Sequence, residues 1–205
     1  MVPEAGDAIT ETLNAYERYS AQYIERTSTE RSPLVDALIE LTNPGDRVLE
    51  LGSGPGRDAA DLESAGLVVE RTDGAASFVD RLNAAGHAAR VLSFYDEDFG
   101  GPYDAVFANA VLLHVSRPRL TDVLKVARRA TSVGGFLVAT FKKGTGQGWS
   151  ERKLDARRHF TYWEEDELRP IVAAAGWTPL SIADTTRSTS AERWLTLIAR
   201  TDNAC

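Results

Sequence analysis

At 205 residues the chain fits one domain with a sizeable core, and 43% hydrophobic and 26% charged content exclude a disordered or membrane-embedded class. A net charge of −7 argues against a nucleic-acid partner, whose phosphates need a basic surface. The single cysteine, Cys205, excludes a disulfide framework or a thiolate metal site within one chain.

Residues 7–26 suit an amphipathic helix with Asp7 as its cap and Ile9, Leu13, Tyr16, Tyr23 and Ile24 near one face. Tyr16, Tyr19 and Tyr23 crowd this segment, either as packing with surface hydroxyls or as a lid over a pocket. Ser32-Pro33 opens a second helix, with the serine as N-cap and the proline at its first position. Val48 to Leu51 read as a short buried strand. Gly52, Gly54 and Gly56 follow as a turn that side chains would obstruct, and a helix begins at Arg57. A strand passing through glycines into a helix N-terminus lets a ligand approach bare backbone N–H groups. After a second strand, Leu67 to Arg71, comes Asp73, placed to accept hydrogen bonds from both hydroxyls of a ribose, with Gly74 beside it.

Ser77 to Ala85 is a third helix, and Ala89 to Leu92 a third strand running into Ser93 and Phe94. Tyr103 to Asn109 is a fourth strand, followed by Leu112-Leu113-His114-Val115 and a helix from Pro118. Phe136 to Phe141 form a fifth strand. Residues 142–159 are polar and glycine-rich, which predicts a functional or disordered loop. After a helix that starts in Glu164-Glu165-Asp166-Glu167, Trp177 to Ala183 and Arg193 to Arg200 are the last strands. About nine residues join them, too few for a parallel crossover, so the pair is expected to be an antiparallel hairpin. Strands alternating with helices up to that hairpin predict an open, mostly parallel sheet with helices on both faces.

Two readings compete for the glycine turn. A dinucleotide fingerprint needs a third glycine at position 57, where this chain has Arg57. Glu50-Leu51-Gly52-Ser53-Gly54-Pro55-Gly56 instead resembles motif I of the class I S-adenosylmethionine-dependent methyltransferases. Leu-Leu-His-Val at 112–115, Phe141-Lys142-Lys143-Gly144, Arg158-His159-Phe160-Thr161-Tyr162 and Ala175-Gly176-Trp177 are similar to a small-molecule branch of that family. The resemblance spans Tyr16 to Ala199. It implies a Rossmann-like α/β fold with seven strands in the order 3-2-1-4-5-7-6, the seventh antiparallel. It also implies one methyltransferase domain over residues 1–205, with residues 1–42 as an N-terminal helical lid.

S-adenosylmethionine is then the implied cofactor, and methyl transfer proceeds by in-line displacement to a small-molecule acceptor. Glu50, Gly52, Ser53, Gly54 and Gly56 belong to the turn that would hold its methionine portion, Arg57 would pair with its carboxylate, and Asp73 and Gly74 would meet the ribose. Ser93 stands where many relatives carry an acid, leaving Phe94 as an adenine wall and Asp96 as a displaced substitute. Asn109 would face cofactor and substrate, and Tyr16 or Tyr23 the methionine end. His114 is the candidate general base, or else a cap for the helix near Pro118; His159 is a weaker candidate and His87 a surface residue. No His, Asp or Glu cluster has metal-ligand spacing. A non-catalytic cofactor binder and a nicotinamide-dependent oxidoreductase are the alternative functions. The N-terminus lacks a basic region followed by an apolar run, and no apolar run has spanning length, so a cytoplasmic monomer or homodimer is expected.

Overall fold

Alternate residues of the central strands feed two separate cores, which is what places helices on both faces of one sheet. In the first strand Val48 packs with Leu34, Val35, Leu38 and Leu62, whereas Leu49 and Leu51 pack with Leu120, Val123 and Leu124. The fourth strand divides likewise, Ala105 and Phe107 to one side and Val106 and Ala108 to the other. The structure, a computed structural model, describes residues 5–27, 29–186 and 192–202.

The elements run α1 (Ala5–Arg26), α2 (Pro33–Ile39), β1 (Arg47–Leu51), α3 (Arg57–Ser64), β2 (Val68–Asp73), α4 (Ala76–Ala84), β3 (Ala89–Val91) and β4 (Tyr103–Ala108). A 3-10 turn at Leu112–His114 precedes α5 (Arg117–Ala130), β5 (Thr131–Lys143), β6 (Gln147–Ser150), β7 (Arg158–Trp163), α6 (Glu165–Ala174), β8 (Thr178–Asp184) and β9 (Trp194–Arg200). The main sheet has the order β3-β2-β1-β4-β5-β9-β8. Its first five strands pair in parallel, and β9 is antiparallel to both neighbours. This is the expected doubly wound sheet closed by an antiparallel hairpin.

The extra pair, β6 and β7, corrects the expectation of a loop over residues 142–159. β5 runs on to Lys143, past the end of β4, and there pairs with β7 through Lys142↔Tyr162 and Lys143↔Trp163. β6 folds back antiparallel on β7, from Gln147↔Thr161 to Ser150↔Arg158. The glycines that suggested a loop make the tight return, since Gly146 has φ of +77°.

α1 lies across the carboxyl ends of the strands. It begins at Ala5, so Asp7 falls inside its first turns rather than capping it, and it kinks at Tyr19. Its Glu17 carboxylate accepts from the N–H groups of Ala76 and Ser77 and so caps α4. Towards the hairpin, Thr12 Oγ1 accepts from the His159 N–H at 3.0 Å, Glu11 pairs with Arg157, and Gln22 and Arg26 hold Asp155. Among the described residues no helix is long and apolar enough to cross a membrane.

Candidate functional site

Strand order reverses between β1 and β4, and open α/β sheets bind ligands at such a point. The turn leaving β1 has three glycines at positive φ: Gly52 at +71°, Gly54 at +50° and Gly56 at +79°. The first and third also lack room for a side chain. A Cβ on Gly52 would lie 2.7 Å from Val111, and one on Gly56 2.6 Å from Leu82. The turn is held from β2 by Asp73, whose Oδ2 accepts from the Gly54 N–H at 2.9 Å and whose Oδ1 accepts from the Ala75 N–H at 2.8 Å. Burial pushes the Asp73 carboxyl up to about 6, against the pull of those N–H groups.

Gly52, Gly54 and Asp73 line a cavity of about 720 Å³ that is open to solvent. The cavity brings together ten of the expected site residues: Tyr16, Tyr23, Gly52, Gly54, Asp73, Gly74, Ser93, Phe94, Asn109 and His114. Ile9, Thr12 and Leu13 of α1, with Phe78, Ala110 and Val111, line it as well. Ile9 and Leu13 are legible in the helix periodicity, whereas Thr12 is not, and nothing in the sequence marks which strand ends that face covers.

The remaining expected residues sit beside the cavity. Glu50 lies beneath the floor, 2% exposed, where it accepts a hydrogen bond from Ser53 Oγ. Burial pushes its carboxyl up to about 8, the serine hydroxyl opposing. Ser53 is consumed in joining β1 to β2, its N–H donating to the Thr72 carbonyl at 2.8 Å and its Oγ accepting from the Thr72 N–H at 3.1 Å. Gly56 permits close packing on α4. Arg57 corrects the expected carboxylate contact: its guanidinium donates to the carbonyls of Ile24 at 3.2 Å and Thr27 at 3.1 Å, gripping the end of α1. Asp96 accepts from the Ser93 N–H at 3.0 Å and lies outside the cavity lining.

Asn109 lines the cavity, yet its amide is engaged elsewhere. Nδ2 donates to Asp58 at 2.7 Å and to Ser32 Oγ at 3.1 Å, and Oδ1 accepts from Thr140 Oγ1 at 3.1 Å. The next residue, Ala110, is left-handed at φ 56°, an uncommon conformation for alanine, and its N–H donates to Thr140 Oγ1 at 2.8 Å.

His114 is 7% exposed on the 3-10 turn. Its Nδ1–H donates to the His159 carbonyl at 2.6 Å, which leaves Nε2 as the acceptor for the Tyr16 hydroxyl at 2.9 Å. Tyr16 in turn accepts from Arg158 Nη1 at 3.1 Å. Burial lowers the His114 pKa to about 3, so the imidazole is neutral near pH 7. This corrects the helix-cap reading, since neither nitrogen touches α5, whose N-cap position is Ser116. A free base at His114 does not fit either, because Tyr16 occupies the one lone pair it offers. His159 is buried on β7, and His87 is exposed.

A second cavity of about 380 Å³ meets the first at Tyr16, Tyr23 and Ala110. Lys142, Arg158 and Phe160, from β5 and β7, line it together with Trp194 of β9 and the β6–β7 connection.

A family model described as a methyltransferase domain matches residues 49–139, the segment carrying the glycine turn, Asp73 and β4. The matched segment and the sheet order both agree with the resemblance to the class I S-adenosylmethionine-dependent methyltransferases. The methyltransferase CcbJ from Streptomyces caelestis superposes with a TM-score of 0.73 at 19% identity, over 94% of this chain and 99% of that one. The 1,6-didemethyltoxoflavin-N1-methyltransferase of Burkholderia thailandensis, solved with its didemethyltoxoflavin and S-adenosylhomocysteine, gives 0.68 at 17% identity, over 97% and 87%. A Methanosarcina mazei S-adenosylmethionine-dependent methyltransferase gives 0.71 at 14%, over 82% and 98%. No curated protein sequence matches the chain.

The first cavity suits S-adenosylmethionine by its own chemistry. It offers a bare glycine turn, an acid at the end of β2 with lone pairs left after two backbone contacts, and the Phe94 ring at the end of β3.

Proposed function

We propose that the chain is a methyltransferase acting on a small-molecule acceptor, with α1 as its lid. The observation that carries this reading is the second cavity, which is small, lined by side chains and shares Tyr16, Tyr23 and Ala110 with the first. The Burkholderia and Streptomyces neighbours support it by fold, and the former was solved with a small heterocycle, 1,6-didemethyltoxoflavin, bound.

Asp73 would hold the ribose, Phe94 and Ser93 the adenine, and Gly52, Gly54 and Tyr23 the methionine portion. When bound, S-adenosylmethionine supplies a methyl group already activated by its sulfonium. The chain's own task is then alignment of the acceptor and exclusion of water. Tyr16 stands at the junction of the two cavities, fixed by Arg158 on one side and His114 on the other. His114 acts here as a positioning residue that holds the tyrosine. α1 closes the roof, and its contacts to α4 and to the hairpin span both cavities. Cytoplasmic location and a monomeric or homodimeric state complete the proposal.

The test is S-adenosylhomocysteine production over a panel of small phenols, amines, thiols and heterocycles, run beside bulk protein and nucleic acid as methyl acceptors. Turnover confined to small molecules is expected. Turnover confined to macromolecules overturns the reading.

A further inference from the structure

We infer that the second cavity recognises an anion, so that the methyl acceptor carries a carboxylate or phosphate on a small flat body. The inference rests on the methyltransferase reading of the first cavity and narrows its substrate class.

Four cations, Lys142, Arg152, Lys153 and Arg158, line this cavity and face one carboxylate, Glu192. The chain as a whole is strongly acidic, with a net charge of −7, so the local excess of positive charge is no reflection of bulk composition. Two of the cations are withdrawn from water. The Lys142 side chain is 9% exposed and Arg158 is 4% exposed. A buried charge is costly unless paired, and here the pairing is incomplete. Lys142 Nζ donates to Glu192 at 2.8 Å, and the same carboxylate lies 4.0 Å from Arg152, so one acid is shared among the cations. Arg158 has no carboxylate within ion-pair distance among the described residues; it donates to Tyr16 and to the Arg152 carbonyl, and its buried Nε has no partner. Burial lowers the Lys142 pKa, with Arg158 and Lys153 adding like-charge repulsion, which an incoming anion would relieve.

The walls explain the flat body. Lys142 Nζ lies 3.9 Å from the centre of the Phe160 ring, Arg158 lies 5.3 Å from the same ring, and Trp194 forms a further side. Aromatic side chains lining a cavity beside fixed cations favour an unsaturated ring bearing an anionic handle. The handle sits on Arg158 and Lys142, and the atom to be methylated is the end that reaches Tyr16.

The experiment uses protein loaded with S-adenosylhomocysteine and three probes: benzoate, phenyl phosphate and neutral benzamide, titrated by ligand-observed NMR. Either anion is expected to bind at least about tenfold more tightly than benzamide, and to weaken as salt is raised from about 50 to 300 mM. The better of the two anions identifies the handle. Arg158→Met should remove the preference while leaving S-adenosylhomocysteine affinity within about threefold. Because Arg158 also holds Tyr16, Lys153→Asn serves as the second variant. Lys153 is exposed and at φ 73°, which asparagine tolerates, and its loss should weaken the anion about threefold. Equal or tighter binding of benzamide, no anion binding, or a parallel loss of S-adenosylhomocysteine in Arg158→Met overturns the inference, the last assigning these cations to the cofactor. Failure of the native protein to bind S-adenosylhomocysteine would instead strike the methyltransferase reading itself.

Discussion

The Tyr16 hydroxyl donates a hydrogen bond to His114 Nε2 and not the reverse. The direction is set from the far side of the imidazole, where Nδ1–H is committed to the His159 carbonyl. Arg158, Tyr16 and His114 thus donate in one direction, and the run ends on the His159 carbonyl. In such a run no group is left over to take a proton from an acceptor.

His114→Ala is therefore expected to cost stability more than rate. It strands the Tyr16 hydroxyl and the His159 carbonyl, a loss of about 1–3 kcal/mol. Turnover per folded molecule should stay within about tenfold of the native enzyme, and the native pH–rate profile should show no histidine inflection between about pH 5 and 8. Melting temperature and turnover on one preparation decide this. A rate loss of about 10²–10⁴-fold with stability intact would restore His114 as a base.

Cofactor affinity should depend on pH through Asp73. A ribose hydroxyl donates to the carboxylate, so binding favours the ionised form, and the free protein's carboxyl titrates at about 6. Calorimetry with S-adenosylhomocysteine should give a constant Kd above about pH 7 and a Kd about tenfold weaker at pH 5. Asp73→Asn should bind more weakly by about 1.5–3 kcal/mol and show no such slope. A native Kd flat to pH 5 would remove Asp73 from the ribose contact.

Glu50 should tune stability in the opposite sense from an ion-paired acid. Its folded pKa of about 8 lies above the ordinary 4.5, so its contribution is fully present below 4.5 and is lost as pH rises through 8. Glu50→Gln removes that loss and should gain on the order of 1–2 kcal/mol over the native protein at pH 8.5, with little difference at pH 4.5. Denaturant unfolding at the two pH values measures it; an equal effect at both would mean the carboxyl does not change charge over this range.

Glu17→Ala should free the middle of α1 from α4. Two N–H groups at the start of α4 lose their acceptor, at a cost of about 1 kcal/mol. Hydrogen exchange over residues 5–26 should speed up, and S-adenosylhomocysteine should bind more weakly because Leu13 and Tyr16 line its cavity. Unchanged exchange would place the anchoring of α1 in its hairpin contacts instead.

Much of the candidate site's backbone was legible because its geometry restricts residue type. Three glycines in five residues, then an acid one strand later, leave few alternatives for the chain path. The side chains around them were harder, since their partners come from distant segments. Arg57 sits one residue past the turn, where a ligand carboxylate is a natural partner, yet the carbonyls of Ile24 and Thr27 arrive there first. Glu50 carries no sign in sequence that full burial, outweighing the Ser53 hydroxyl, will keep its charge low. The β6–β7 hairpin was missed because its strands are short and its glycines resemble loop composition, while the β5 edge that recruits β7 exists only in the folded sheet. Arg158 and Lys142 read as solvated charges until that pairing turns them inward.

β5 is shared between two tasks, and this limits how the enzyme can diversify. Phe136 to Lys142 pair with β9, while Lys142 and Lys143 pair with β7, so Lys142 belongs to both ladders and to the cavity wall. A mutation that shifts this strand to suit a new acceptor also breaks the register of the sheet. Residues 151–157 lie between β6 and β7 and outside any strand, and they bring Arg152 and Lys153 to the same cavity. Changes of acceptor in descendants of this protein should accumulate first in that connection, where a substitution alters the wall and leaves the sheet register intact.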